Sequence, residues 1–210
     1  GVAPFSNTLQ SLSFTFDVSS NRAGLSGIFP CTDIFDFSSS SSATTASIVF
    51  GSGNACSFDS SGKLLQVTFG NGATVVPGDK LHLLPNLLRS SQHHALTSLA
   101  ETVIVKAPQY PTSPSVVLSV STPVVGLCDD LRFNAAGSVG SGGRPMKFAW
   151  SVALSGVSAP ATPIQNMSQY FVGATAADII SRVTLPFHSM PAGLAFEVSL
   201  TATNFLGLEN

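Results

Sequence analysis

Apolar and polar residues alternate along most of this chain with a period of two, which puts the apolar members of each run on one face of a β-strand. Leu12, Phe14 and Phe16 alternate with Ser and Thr, and Ile48 with Phe50, then Leu65, Val67 and Phe69, follow the same rule. Leu131 and Phe133 alternate with Arg132 and Asn134, and Phe148 and Trp150 share the face of the next run, which should be a core face. Helical periodicity is nearly absent, and only residues 86–89 and 175–180 read as short helices. Turn chemistry falls between the runs. Ser60-Ser61-Gly62 precedes one strand, and Asn71-Gly72 predicts a two-residue hairpin. Segment 77–84 opens as a turn and closes as a strand with Leu81 and Leu83 on one face.

These runs fall into two halves. Residues 101–108 read as the closing strand of the first half, and the prolines of the QYPTSPS stretch after it cannot donate ladder hydrogen bonds and stiffen the chain into a spacer. The expected fold is all-β: two tandem immunoglobulin-like β-sandwich domains joined by a Pro-rich linker. Residues 1–10 are expected as an extended N-terminal arm, 11–108 as the first sandwich, 109–114 as the linker and 115–210 as the second sandwich. The second half offers five to six strands where an immunoglobulin-like sandwich has about seven. It is therefore expected to be incomplete, with no strand after its Phe205-Leu206-Gly207 corner. The glycine-rich stretch 137–145 reads as a hairpin connection between the runs at Phe133 and Phe148. Polyserine 38–42 reads as a surface loop.

Charge changes the picture mainly by its scarcity. Only 10% of residues are charged, against roughly 25% in a typical soluble domain. With a net charge of −2 there is no basic footprint for nucleic acid or anionic lipid. The uncharged run 110–127 is broken by Pro111, Pro114 and Pro123 and makes a poor membrane span. The chain shows no signal peptide and no initiator methionine, and reads as a processed or excised piece.

Of the three cysteines, Cys31 and Cys56 are the natural disulfide pair. A bridge closing a loop of about 25 residues stabilises by roughly 3 kcal/mol; the other reading is three buried thiols. Cys128 is left over, as a buried thiol or as a bond to another chain or to a segment outside this sequence.

Catalytic, cofactor-binding and metal-binding residues are not expected. His93-His94 are adjacent and point apart on extended backbone, with no third ligand at a recognisable spacing. Asp129-Asp130 offer too few oxygens for calcium. The glycine-rich turn lacks the Lys-Ser ending of a phosphate loop, and no G-x-S-x-G elbow occurs. Arg144 reads equally as a partner of Asp129 or Asp130 across the sheet and as a solvated turn residue. Glycosylation is better supported: Asn166-Met167-Ser168 is an N-glycan acceptor sequence, and Pro111, Pro114 and Pro163 lie in proline-rich segments open to hydroxylation and O-glycosylation.

Cys128-Asp-Asp-Leu131, the GSVGSGGRP turn, the FAW triplet ending at Trp150 and the late ATNFLG together resemble a receptor-for-egg-jelly repeat. This module belongs to the polycystic-kidney-disease-like group of immunoglobulin-type sandwiches in cell-surface proteins of animals, algae and other protists. The resemblance is clearest over residues 115–210, and the first half is similar to the module that alternates with it in some algal and protist surface proteins. It implies an extracellular, repeated, stalk-forming or adhesive protein without enzymatic activity.

The expected function is a structural protomer of an extracellular fibre or surface appendage. Its partners would be copies of itself and attached glycans, and residues 1–9, with Val2, Pro4, Phe5 and Leu9, would add to the open edge of a neighbour's second domain. The alternative is an adhesion or ligand-binding module of a larger receptor.

Overall fold

The structure, a computed structural model, describes residues 2–37, 49–91, 102–126, 128–155, 167–171, 181–190 and 192–210. Strands joined by turns and short 3-10 segments make up the described chain, and its only α-helical stretch of any length is the turn at 167–171. The protein is all-β. It divides into two units, one comprising Gly1–Thr112 with Ser141–Arg144 and the other Ser113–Gly140 with Pro145–Asn210.

The described residues of the first unit form two four-stranded sheets. Strands β1 (Val2–Pro4), β8 (Thr102–Lys106), β7 (Lys80–Leu83) and β4 (Phe35–Asp36) lie side by side in that order. The other sheet runs β2 (Ser11–Thr15), β6 (Leu64–Thr68), β5 (Ala55–Phe58), β3 (Ile28–Phe29). Period-two alternation sets the inward faces: Leu12 and Phe14, Leu65 and Val67, Leu81 and Leu83, Val103 and Val105 are all buried. An aromatic chain runs through this core. Phe14 meets Phe35 at 5.1 Å between ring centroids, Phe35 meets Phe50 at 5.2 Å, Phe50 meets Phe69 at 6.3 Å, and Phe69 meets Phe5 at 5.4 Å. Such tilted pairs contribute about 1 kcal/mol each beyond the area they bury. Cys31, just after β3, is bonded to Cys56 of β5, and both are buried.

Local readings fare unevenly here. The Ser60-Ser61-Gly62 turn joins β5 to β6 as a hairpin, with Gly62 at φ 69°. The hairpin expected at Asn71-Gly72 does not form. Asn71 instead exchanges both backbone hydrogen bonds with Ser52, and β6 has β2 and β5 as its neighbours. Residues 86–89 are a turn, not a helix, with Asn86 at φ 61°. Phe50 is fully buried but sits in a bend, and Ile48, the polyserine run, His93-His94 and the helix expected at 175–180 lie outside the described residues.

The arm expected at 1–10 is part of the first unit. β1 pairs in parallel with β8, Val2 opposite Ile104, and Ala3, Phe5 and Leu9 are buried. Leu9 adopts φ 63°, a conformation costing about 1–2 kcal/mol that complete burial of its side chain offsets. The linker begins later than expected, because Asn7 accepts the N–H of Tyr110 on its side chain and that of Thr112 on its backbone carbonyl.

In the second unit, β9 (Ser119–Val120), β10 (Leu131–Asn134) and β12 (Arg182–Leu185) form one sheet in the order β12-β10-β9. Strands β11 (Lys147–Leu154) and β13 (Phe196–Thr203) pair antiparallel from Lys147 opposite Thr203 to Leu154 opposite Phe196. Leu131, Phe133, Val183 and Leu185 from the first sheet pack with Trp150, Val152, Phe196 and Val198 from the second. Phe133, Trp150 and Phe171 form a triangle with centroids 6.1 to 6.2 Å apart.

Because β10 and β11 belong to different sheets, the glycine-rich stretch between them is a crossover and not the hairpin its composition suggested. Past the Phe205-Leu206-Gly207 corner the chain turns back. Asn210 exchanges backbone hydrogen bonds with Ala202, flanking an isolated antiparallel bridge between Thr203 and Glu209 alongside β13. Buried Asn204 holds this corner, its Oδ1 accepting the N–H groups of Leu206 and Leu208 and its Nδ2 donating to Gly140 O.

Candidate functional site

Among the described residues of the second unit, β9, β11, β12 and β13 each have a strand neighbour on one side only, and the edge with no charged residue along it and an uncharged groove beside it is that of β9. Segment 115–121, SVVLSVS, contains β9 and is bonded on one side, by residues 119–121 to β10 and by residues 115–117 to the stretch at Ser138 and Val139 that follows it. Its odd-numbered residues make those contacts: Ser115 N donates to Val139 O, Val117 N to Ser138 Oγ and Ser121 N to Arg132 O. Backbone groups of successive strand residues point to opposite sides, so Val116, Leu118 and Val120 direct theirs to the other edge, which no described strand occupies.

Apolar surface surrounds this edge. Val117 is 49% exposed, Leu118 39%, Val120 43% and Val124 81%. Beside it a groove of about 570 Å³ opens onto the core, lined by Leu118 and Val120 on one flank, Leu131 and Phe133 at its base and Phe196 and Val198 of β13 on the other. Among the described residues, none that lines it is charged. The sequence carries the signal, since no charged residue occurs between Lys106 and Asp129 and SVVLSVS within that run reads as a strand of the second half.

The remaining site residues are placed as follows. Cys128 is exposed, near Asp129, Asp130 and Arg132. Asp130 Oδ1 accepts the N–H of Phe187. Among the described residues, no three His, Cys, Asp or Glu side chains cluster as metal ligands would. Nor is any described helix long and apolar enough to cross a membrane. Asn166 and Pro163 lie outside the described residues, and Pro111 is half-buried. Pro114 is fully buried, with its carbonyl taken by Asn210 Nδ2, so its ring has no room for an attached sugar.

Arg144 overturns both readings of the sequence. It neither meets Asp129 or Asp130 nor lies in solvent: it is buried in the first unit, where Nε donates to Ala73 O at 2.9 Å and an Nη to Val75 O at 2.7 Å. Burial pushes its guanidinium down to about 10, against a smaller opposing pull from Asp79. No family model, curated protein or solved structure matches the chain, so the resemblance to the receptor-for-egg-jelly repeat rests on the residues that carry it.

Proposed function

We propose that the chain is a structural protomer of an extracellular fibre or cell-surface appendage, two immunoglobulin-like sandwiches in series that associate with copies of themselves by strand addition. The observation behind this reading is the 115–121 edge. Proteins that stay monomeric blunt such an edge with charge, proline, a bulge or a covering element. Between Pro114 and Pro123 this segment has no charge and no proline, and its side chains are β-branched or otherwise apolar between serines. The buried Cys31–Cys56 bridge favours an oxidising compartment, and the sparse surface charge suits a protein that associates rather than one kept apart by repulsion. The likeness to a repeated surface module adds the expectation of a stalk or filament, with Asn166, Pro111 and Pro163 as glycan acceptors.

Residues 1–9 are not the donor in this scheme, since Ala3, Phe5 and Leu9 are part of their own unit's core. The test is sedimentation velocity with negative-stain imaging of the purified chain over a wide concentration range. Concentration-dependent oligomers or filaments are expected; compact monomers throughout would sink the proposal in favour of an adhesion or ligand-binding module.

A further inference from the structure

Taking the strand-addition reading as its ground, we infer that segment 115–121 is a two-fold contact, in which a second copy of this chain lays the same segment antiparallel against the first about an axis through Leu118. Three observations on this segment converge. Its sequence is nearly palindromic about Leu118: Ser115 falls opposite Ser121, Val116 opposite Val120 and Leu118 opposite its own copy, with Val117 opposite Ser119 the one unlike pair.

The second is backbone parity. In an antiparallel pair the residues that exchange hydrogen bonds occur at every second position. An axis through a residue, as at Leu118, sets even residues opposite even ones, and those are the residues whose N–H and C=O groups are directed away from β10. An axis between two residues would set even residues opposite odd ones, whose groups are already engaged with Val139, Ser138 and Arg132; among the axes that pass through a residue, the palindrome selects Leu118.

The third is side-chain chemistry. Leu118 and Val120 line the uncharged groove, so antiparallel pairing sets Leu118 beside its copy and Val120 beside Val116 of the second copy along the groove's mouth. The absence of charge means that the strand meets itself without repulsion. Such an isologous contact closes after two copies, so a fibre built with it needs a second, different contact along its length.

The test uses the full chain with Cys128→Ser, removing the exposed thiol. Residues directly opposite in a hydrogen-bonded antiparallel pair have Cα atoms about 5.5 Å apart, within disulfide range. Leu118→Cys is therefore expected to give a covalent dimer on mild oxidation. Val116→Cys and Val120→Cys should cross-link when mixed, and Val116→Cys should not cross-link with itself. Leu118→Lys, at a half-exposed position, should weaken dimerisation by tenfold or more while leaving the circular dichroism spectrum unchanged. Self-association without cross-linking of Leu118→Cys would overturn the two-fold register and leave the proposed function standing. Covalent dimers with no larger particle would support the register and count against the fibre. A chain that neither associates nor cross-links would overturn both.

Discussion

The guanidinium carbon of Arg144 lies 5.1 Å from the ring centroid of Phe69 and 5.4 Å from that of Phe5, so the end of the aromatic chain in the first unit is capped by a cation. The same side chain supplies donors to Ala73 O and Val75 O. These bonds replace the ladder partners that the expected Asn71-Gly72 hairpin would have provided. Arg144→Met keeps much of the volume but leaves both carbonyls without that donor, and should cost about 3 kcal/mol of the first unit's stability. Arg144→Lys has no planar fork and should recover only part of it. Urea denaturation followed by far-UV circular dichroism measures the difference.

Gly142 and Gly143 make a sharper comparison, because both have positive φ, 59° and 78°, and only one is crowded. A Cβ at Gly142 would stand 2.0 Å from the backbone oxygen of Leu9, whereas at Gly143 the nearest atom is 3.5 Å away. Gly143→Ala should cost about 1–2 kcal/mol, the strain of a left-handed L-residue. Gly142→Ala should cost distinctly more, since backbone must move, and thermal melts of the two variants side by side should show that order.

Asn204 controls the turn-back of the chain end. Replacing it with Ala removes the acceptor for Leu206 and Leu208 N–H in a buried position, at a cost of about 1–3 kcal/mol. The pairing of Asn210 with Ala202 should then fray, visible as faster amide exchange at Ala202 and Asn210 with the centre of β11 still protected.

Acid should loosen the β5–β6 turn. Asp59 accepts from Ser61 Oγ at 2.5 Å and from Leu64 N at 3.0 Å, and these bonds, that from Ser61 foremost, hold its carboxyl below the usual 3.8. A carboxyl lowered on folding contributes stability that is fully present above its unfolded value and is lost as pH falls through its folded one. The native chain should thus lose stability below about pH 3.8 in a way that Asp59→Asn does not, so their urea midpoints should converge on acidification. A gap that stays constant down to pH 2 would contradict this.

The inward faces were legible because alternation is a local property: Leu12 with Phe14, Leu65 with Val67 and Leu131 with Phe133 declare their faces without knowledge of any partner. Pairing was not. Asn71-Gly72 has hairpin chemistry, but the backbone after it is claimed by Arg144, 71 residues from Ala73 along the chain, and a carbonyl acceptor leaves no mark in sequence. An arginine beside glycines and a proline looks like a solvated turn residue until its surroundings are known. The 115–121 edge was visible as an uncharged run, yet its meaning depended on which backbone side β10 had already taken.

Since Ser141–Arg144 belong to the first unit, that unit is not a continuous stretch of chain. During synthesis it lacks its cation, and the donor to Ala73 O and Val75 O, until the residues through Arg144 have emerged. Vectorial folding, with the N-terminal domain complete before the next begins, is the usual order for domains in series. Here the maturation of the first unit waits on the second strand of its neighbour, β10, being already made, and a fragment ending at Thr112 would carry an unfinished core.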